Sequence, residues 1–206
     1  MVKEDIPRKA IYRLSLYQRC LQTLGENGVE TVSSEALAKA AGVKSTQLRK
    51  DLAYFGQFGT RGLGYNVETL GRTIADVLGK ERLQPVILIG VGNLGSALLR
   101  YGGFQREGFE IVAGFDEHPD TVRKRDLSVP VYDTSGLTEF IEKNRIKMGI
   151  VAVPGPNGQS VANVLVESGV QAILNFSPVV LQVPDRVTVH NVDLAAELES
   201  LSYFIR

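Results

Sequence analysis

The sequence predicts an α/β protein: an N-terminal winged-helix domain, a Rossmann-type doubly wound parallel sheet, and a C-terminal helix. Three observations predict it. Between Pro7 and Gly79, apolar residues recur at helical spacing and are interrupted once, by the glycine- and aromatic-rich stretch GQFGTRGLGY. From Pro85 to Asp193, short β-branched runs alternate with helical stretches. The first of those runs leads straight into Gly90-Val91-Gly92-Asn93-Leu94-Gly95 and a helix.

Taken in order, Pro7 suits the first position of a helix striped by Ile11, Leu14, Tyr17, Leu21 and Leu24, with Gly25 as its stop. Ser33 or Ser34 caps SEALAKAA, which ends at Gly42. After a three-residue turn, Ser45 caps TQLRKDLAYF. The stretch GQFGTRGLGY cannot continue a helix and reads as a tight hairpin. Asn66 then caps VETLGRTIADVL, closed by Gly79. The polar residues 80–84 mark the boundary between a first domain, 1–80, and a second, 85–193. PVILI, EIVAGFD, MGIVAVP, QAILNFS and VTVHNVD read as strands buried on both faces, the habit of a parallel sheet. SALLRY, LTEFIEKN and QSVANVLVESG are the intervening helices, and residues 194–206 form an apolar-striped terminal helix.

Composition narrows the function classes. With 206 residues, 44% hydrophobic and 22% charged, the chain suits one large soluble domain or two small ones. No apolar run approaches the roughly 20 residues of a membrane span. The N-terminus has no apolar segment of secretory type, and Cys20 is the single cysteine, so a cytoplasmic address is expected. The net charge of zero argues against a nucleic-acid partner until the chain is divided. Residues 1–80 hold 12 Lys and Arg against 8 Asp and Glu, while residues 81–206 hold 11 against 15. A basic first domain and an acidic second one suggest different partners.

The glycine motif has its full context. Gly90 permits the tight turn, Gly92 lets backbone approach a pyrophosphate, and Gly95 allows close packing of helix on strand. Asp116, closing EIVAGFD 21 residues after Gly95, can accept both adenosine-ribose hydroxyls and would repel a 2′-phosphate, which favours NAD(H) over NADP(H). Ligands of such sheets lie at the carboxyl ends of strands. Val153-Pro154-Gly155 and Asn175-Phe176-Ser177-Pro178 would therefore flank the nicotinamide half, with Tyr101 within reach. A dehydrogenase would need an acid/base beside the nicotinamide. His118 sits in the ribose loop and His190 inside a strand, no metal-ligand spacing appears, and the second domain is barely larger than the cofactor fold. Binding without turnover is the better reading.

In TQLRKDLAYF, Leu48, Leu52 and Phe55 form the buried stripe, with Asp51 at its border. Gln47, Lys50 and Tyr54 lie away from it and Arg49 flanks them, a donor-rich face suited to the major groove. Arg61, at the tip of the glycine-rich stretch, suits a narrow minor groove or a phosphate. The candidate DNA-contacting set is Ser45, Thr46, Gln47, Arg49, Lys50, Tyr54 and Arg61.

Over essentially its whole length the chain resembles the Rex family of redox-sensing repressors. LRKDLAYFGQFGTRGLGY, GVGNLGSALLRY, ILNFSPVVLQVP and VDLAAEL carry the resemblance, the first most specifically because it joins recognition helix and wing. The resemblance implies a homodimer that binds palindromic operators when NADH is low and releases them when NADH binds. It also implies a C-terminal helix swapped onto the partner, DNA contacts from Arg49, Lys50 and Arg61, and cofactor contacts from Gly90 to Gly95, Tyr101 and Asp116. Arg19 and Asp193 match a pair that links the domains. Two alternatives remain: a small NAD-dependent oxidoreductase, disfavoured by the missing acid/base, and a CoA- or nucleotide-binding regulatory protein, disfavoured by Asp116.

Overall fold

The structure is a computed structural model and describes residues 6–59, 63–80, 82–123, 127 and 129–205. The chain divides into two compact units, Met1–Arg82 and Leu83–Arg206.

The first unit holds α1 (Arg8–Glu26), β1 (Thr31–Val32), α2 (Ser34–Ala40), α3 (Ser45–Ala53), β2 (Tyr65–Asn66) and α4 (Val67–Val77). Its core gathers Leu14, Tyr17 and Leu21 of α1 with Leu37 of α2, Leu48 and Leu52 of α3, and Leu70 and Ile74 of α4. The buried stripe of α1 runs through Ala10 rather than Ile11, which is 36% exposed, because Ala10, Leu14, Tyr17 and Leu21 keep the i, i+4, i+7, i+11 spacing of one face. Pro7 is the N-cap rather than the first helical residue, and α1 runs past Gly25, which keeps a helical conformation, to Glu26.

Two predicted caps hold: Ser33 Oγ accepts from the Ala36 N–H at 3.1 Å, and Asn66 Oδ1 from the Thr69 N–H at 2.8 Å. The third does not. Lys44 is the N-cap of α3, and Ser45 is already helical. The predicted hairpin also differs. Residues 56–59 carry no strand, and β2 pairs antiparallel with Thr31–Val32, a two-residue strand too short to leave a periodic signal. The tip of the glycine-rich stretch, including Arg61, lies outside the described residues.

The second unit runs β3 (Gln84–Ile89), α5 (Asn93–Leu99), α6 (Gly103–Arg106), β4 (Phe109–Asp116), α7 (Pro119–Arg123), β5 (Val131–Asp133), α8 (Leu137–Asn144), β6 (Met148–Val151), α9 (Gly155–Glu167), β7 (Ala172–Asn175), β8 (Thr188–Asn191) and α10 (Leu194–Ser202). All six strands are parallel, in the order β5-β4-β3-β6-β7-β8. The order reverses at β3, which pairs with β4 on one side and β6 on the other. Along β3 the side chains alternate between two cores. Ile87 and Ile89 join Ile141 of α8 and Leu165 of α9; Val86 and Leu88 join Leu99 of α5 and Val122 of α7. Helices on both faces explain why PVILI is continuously apolar.

Strand β5 escapes a reading by pattern, since only Val131 of its three residues is buried. Helix α10 buries none of its residues: Leu194, Leu198 and Leu201 are 58%, 67% and 63% exposed, and Phe204 beyond it 77%. Among the described residues, no helix is long and apolar enough to cross a membrane.

Candidate dinucleotide site and DNA-reading face

At the reversal point the backbone leaves little room. Gly90 follows β3 with φ +93°, and a side chain there would bring Cβ within 2.6 Å of the Ala152 carbonyl oxygen at the end of β6. A Cβ on Gly95 would collide with the Gly90 carbonyl oxygen, so α5 can lie on the strand end only with glycine at that position. Gly92, the N-cap of α5, differs: nothing lies within 4 Å of where its Cβ would be. The three glycines thus supply a turn, an opening and a close packing, the arrangement that admits a pyrophosphate. Val91 is fully buried, while Asn93 and Leu94 are exposed beside the opening.

Asp116 ends β4 next to this loop. Its Oδ2 accepts from the Val91 N–H at 2.8 Å and its Oδ1 from the His118 N–H at 2.9 Å. Both bonds aim the carboxylate along the glycine loop, and each oxygen keeps a lone pair for a further donor such as a ribose hydroxyl. The backbone bond to His118 shows that this residue helps set the Asp116 turn, a role that sequence reasoning did not assign.

The residues expected on the nicotinamide side divide. Val153 and Pro154 follow β6, where Val153 packs over Gly90 and Pro154 is the N-cap of α9. Phe176 is half-buried beyond β7, its N–H bonded to the Val151 carbonyl at 2.8 Å. Asn175 is 1% exposed, and its amide is engaged with the protein: Nδ2 donates to the carbonyls of Ser177 and Val179 and to Asn191 Oδ1, while Oδ1 accepts from the Ser177 N–H. It shapes the NFSP loop from within. Ser177 is 6% exposed, and among the described residues its Oγ has no hydrogen-bond partner. Tyr101 is 60% exposed and packs edge-to-face on Phe104, ring centres 5.0 Å apart.

In the first unit, α3 turns Leu48, Asp51 and Leu52 inward and leaves Thr46, Arg49 and Lys50 exposed, with Ser45, Gln47 and Tyr54 half-buried. Arg49 is held by Ser34 Oγ at 3.0 Å, with Glu35 3.6 Å away. Asp51 is fully buried, more than its place at the border of the stripe suggested. Its Oδ2 accepts from Arg13 Nε at 2.5 Å and the Tyr17 hydroxyl at 2.7 Å; its Oδ1 accepts from an Arg13 terminal nitrogen at 2.7 Å and Gln47 Nε2 at 2.8 Å. Burial alone would push the Asp51 carboxyl up, but Arg13, Tyr17 and Gln47 together hold it below its usual range. The same bonds raise the Arg13 guanidinium, and burial followed by Asp51 raises the Tyr17 hydroxyl. This cluster fastens α3 to α1 through a buried charge that helical periodicity alone does not predict.

Arg19 is exposed on α1, and Asp193 is the N-cap of α10, its Oδ1 accepting from the N–H groups of Ala195 and Ala196 at 3.0 Å. Cys20 is half-buried, its thiol pushed up by burial as in a packing residue. Among the described residues no group of His, Cys, Asp and Glu could hold a metal ion.

Comparisons with known proteins cover both units. The family described as "Putative DNA-binding protein N-terminus" matches residues 5–53, and the "CoA binding domain" family matches residues 81–179. The chain is 48% identical to the redox-sensing transcriptional repressor Rex of Pelotomaculum thermopropionicum, over 96% of this chain and 93% of that one. Among solved structures, it is similar to RSP in complex with β-NAD+ and operator DNA, at 39% identity and TM-score 0.89 over 98% of this chain and 94% of that one. It is also similar to RSP in complex with β-NADH, at 37% identity and TM-score 0.85 over 98% and 95%. On this similarity across nearly its full length, the chain belongs to the Rex family of redox-sensing transcriptional repressors.

Proposed function

We propose that this chain is a cytoplasmic repressor that binds palindromic operator DNA when NADH is low and releases it when NADH occupies the second unit. The observation that carries the reading is the pairing, in one chain, of a Gly90–Gly95 loop closed by Asp116 with a cation-bearing helix α3. The RSP complexes with β-NAD+ and operator DNA and with β-NADH support it. NADH and NAD+ are the cofactors, bound without turnover, with Gly90 to Gly95 and Asp116 at the adenosine and pyrophosphate half. Val153, Pro154, Phe176, Ser177 and Tyr101 belong to the nicotinamide half, and Asn175 supports them by holding their loop.

On the DNA side, Lys50, Arg49, Thr46, Ser45, Gln47, Tyr54 and Arg61 form the contact surface. Arg19 and Asp193 are assigned to signal transmission. The exposed apolar face of α10 is the homodimer contact, since it buries none of its residues in the chain itself.

The match to a CoA-binding family favours one competing reading, in which the second unit takes CoA. The Asp116 carboxylate opposes it, because CoA carries a phosphate on its adenosine ribose, which a carboxylate repels. Titration of the purified chain with NADH, NAD+, NADPH and CoA separates the two: NADH binds tightest under the repressor reading, CoA under the other.

A further inference from the structure

Gln47 and Asp51 stand one turn apart on α3, and Gln47 Nε2 donates to the buried Asp51 carboxylate at 2.8 Å. A carboxylate has only acceptors, so the Gln47 carboxamide has one permitted orientation, with its nitrogen toward Asp51. Arg13 and Tyr17 supply three further hydrogen bonds to the same carboxylate, which fixes it in place. One N–H of the amide is thereby used. The other N–H and Oε1 remain. Gln47 is only half-buried, and among the described residues nothing donates to its Oε1.

We propose that Gln47 reads an adenine in the major groove, with Asp51 as the positioning residue that sets its amide. In that groove adenine presents N7 as an acceptor beside the N6 amine as a donor, the complement of an N–H beside Oε1. Guanine presents two acceptors, and one of them would face Oε1. An unrestrained glutamine could rotate to exchange its oxygen and nitrogen; Asp51 removes that freedom, so the helix is selective at this position before it meets DNA.

The inference rests on the assignment of α3 to the DNA, and the experiment separates the two. Duplexes randomised over about two helical turns are selected at fixed salt by the full-length wild type and by the Gln47→Met, Asp51→Asn and Lys50→Ala variants. Gln47→Met, which keeps the side-chain length, should remain folded. It should lose adenine preference at one position per half-site, by roughly 5- to 150-fold, and keep the preferences elsewhere. In wild type, an adenine analogue lacking N7 and one lacking the exocyclic amine should each weaken binding at that position, and neither should affect Gln47→Met. Asp51→Asn should relax the same position although Gln47 is intact. If Asp51→Asn does not fold, guanine at that position in wild type carries the test. An amide held in one orientation sets Oε1 against a guanine acceptor and loses affinity, whereas a freely turning one offers its N–H groups and does not, which would overturn the role of Asp51. Unchanged adenine preference in Gln47→Met overturns the proposal, while weakened selection by Lys50→Ala in the same experiment leaves the placement of α3 standing. If neither variant alters selection, both fall.

Discussion

The Asp116 carboxylate accepts a hydrogen bond from the Val91 N–H at 2.8 Å, which ties the end of β4 to the middle of the glycine loop. The acid at this position holds the loop, and the proposed function gives it a second duty toward the adenosine ribose. Asp116→Ala removes both, and each hydrogen bond to a charged group is worth about 1.5–3 kcal/mol. NADH should bind at least roughly tenfold more weakly to this variant, with less discrimination against NADPH, in a fluorescence titration. Wild-type affinity and selectivity in the variant would leave Asp116 with the loop alone.

Operator binding should weaken steeply with salt, because cations that contact phosphate displace condensed counterions. For a dimer that neutralises about six phosphates, log K should fall against log salt with a slope of roughly −5. Lys50→Ala should lower operator affinity and the slope while NADH affinity stays unchanged. Equal operator binding by variant and wild type would remove Lys50 from the contact surface.

The Asp51 cluster predicts an acid limb to stability. Its carboxyl is held below the usual value in the folded chain, so its contribution is present above the unfolded value of about 3.9 and is lost as pH falls through the lower, folded one. Arg13, whose guanidinium is raised, loses its contribution only in strong alkali, so the neutral range is flat for this pair. Arg13→Ala leaves the buried charge short of its main partner and should cost about 3–5 kcal/mol in urea unfolding at neutral pH. A cost under about 1 kcal/mol would mean that Tyr17 and Gln47 suffice to hold the carboxylate.

Helix α10 should hold the dimer together. Leu194, Leu198, Leu201 and Phe204 are all more than half exposed, an apolar face that needs a second surface. Truncation after Asp193 should give monomer or insoluble protein in sedimentation. A soluble truncated dimer would place the dimer contact elsewhere.

How much of this the sequence disclosed follows from what periodicity can carry. The long strands β3 and β4, helices α1 and α4 and the Ser33 and Asn66 caps follow from pattern and cap chemistry, because each spans enough residues or uses a residue type with one common role. The two-residue strand β1 and the three-residue β5 leave no pattern to read, and the pairing of β2 with β1 is a long-range choice. In the candidate nucleotide site, the tight turn at Gly90, the opening at Gly92, the close packing at Gly95 and the placement of Asp116 beside them were legible, because the glycine spacing and the strand-end acid belong to one local pattern. The conversion of Asn175 into an internal brace was not, since its partners Val179 and Asn191 are assembled by the fold. Nor was the burial of Asp51. A charge on a helix reads as surface until the arginine that neutralises it, 38 positions away, is brought beside it.

A redox-sensing repressor must couple its cofactor site to its DNA-reading helix. A ligand shifts an equilibrium only through its differential affinity for the two states, and the shift is reciprocal. NAD+ and NADH differ by a positive charge and the planarity of one ring, so the effect must arise near the nicotinamide, where Phe176 and Tyr101 are the candidates. The direct measurement is an operator titration at fixed salt with saturating NADH, with saturating NAD+, and with neither. NADH should weaken operator binding by about 5- to 150-fold relative to the other two conditions, and operator DNA should weaken NADH binding by the same factor. Identical operator affinity in all three conditions would rule this coupling out, leaving a DNA-binding protein that does not sense redox state.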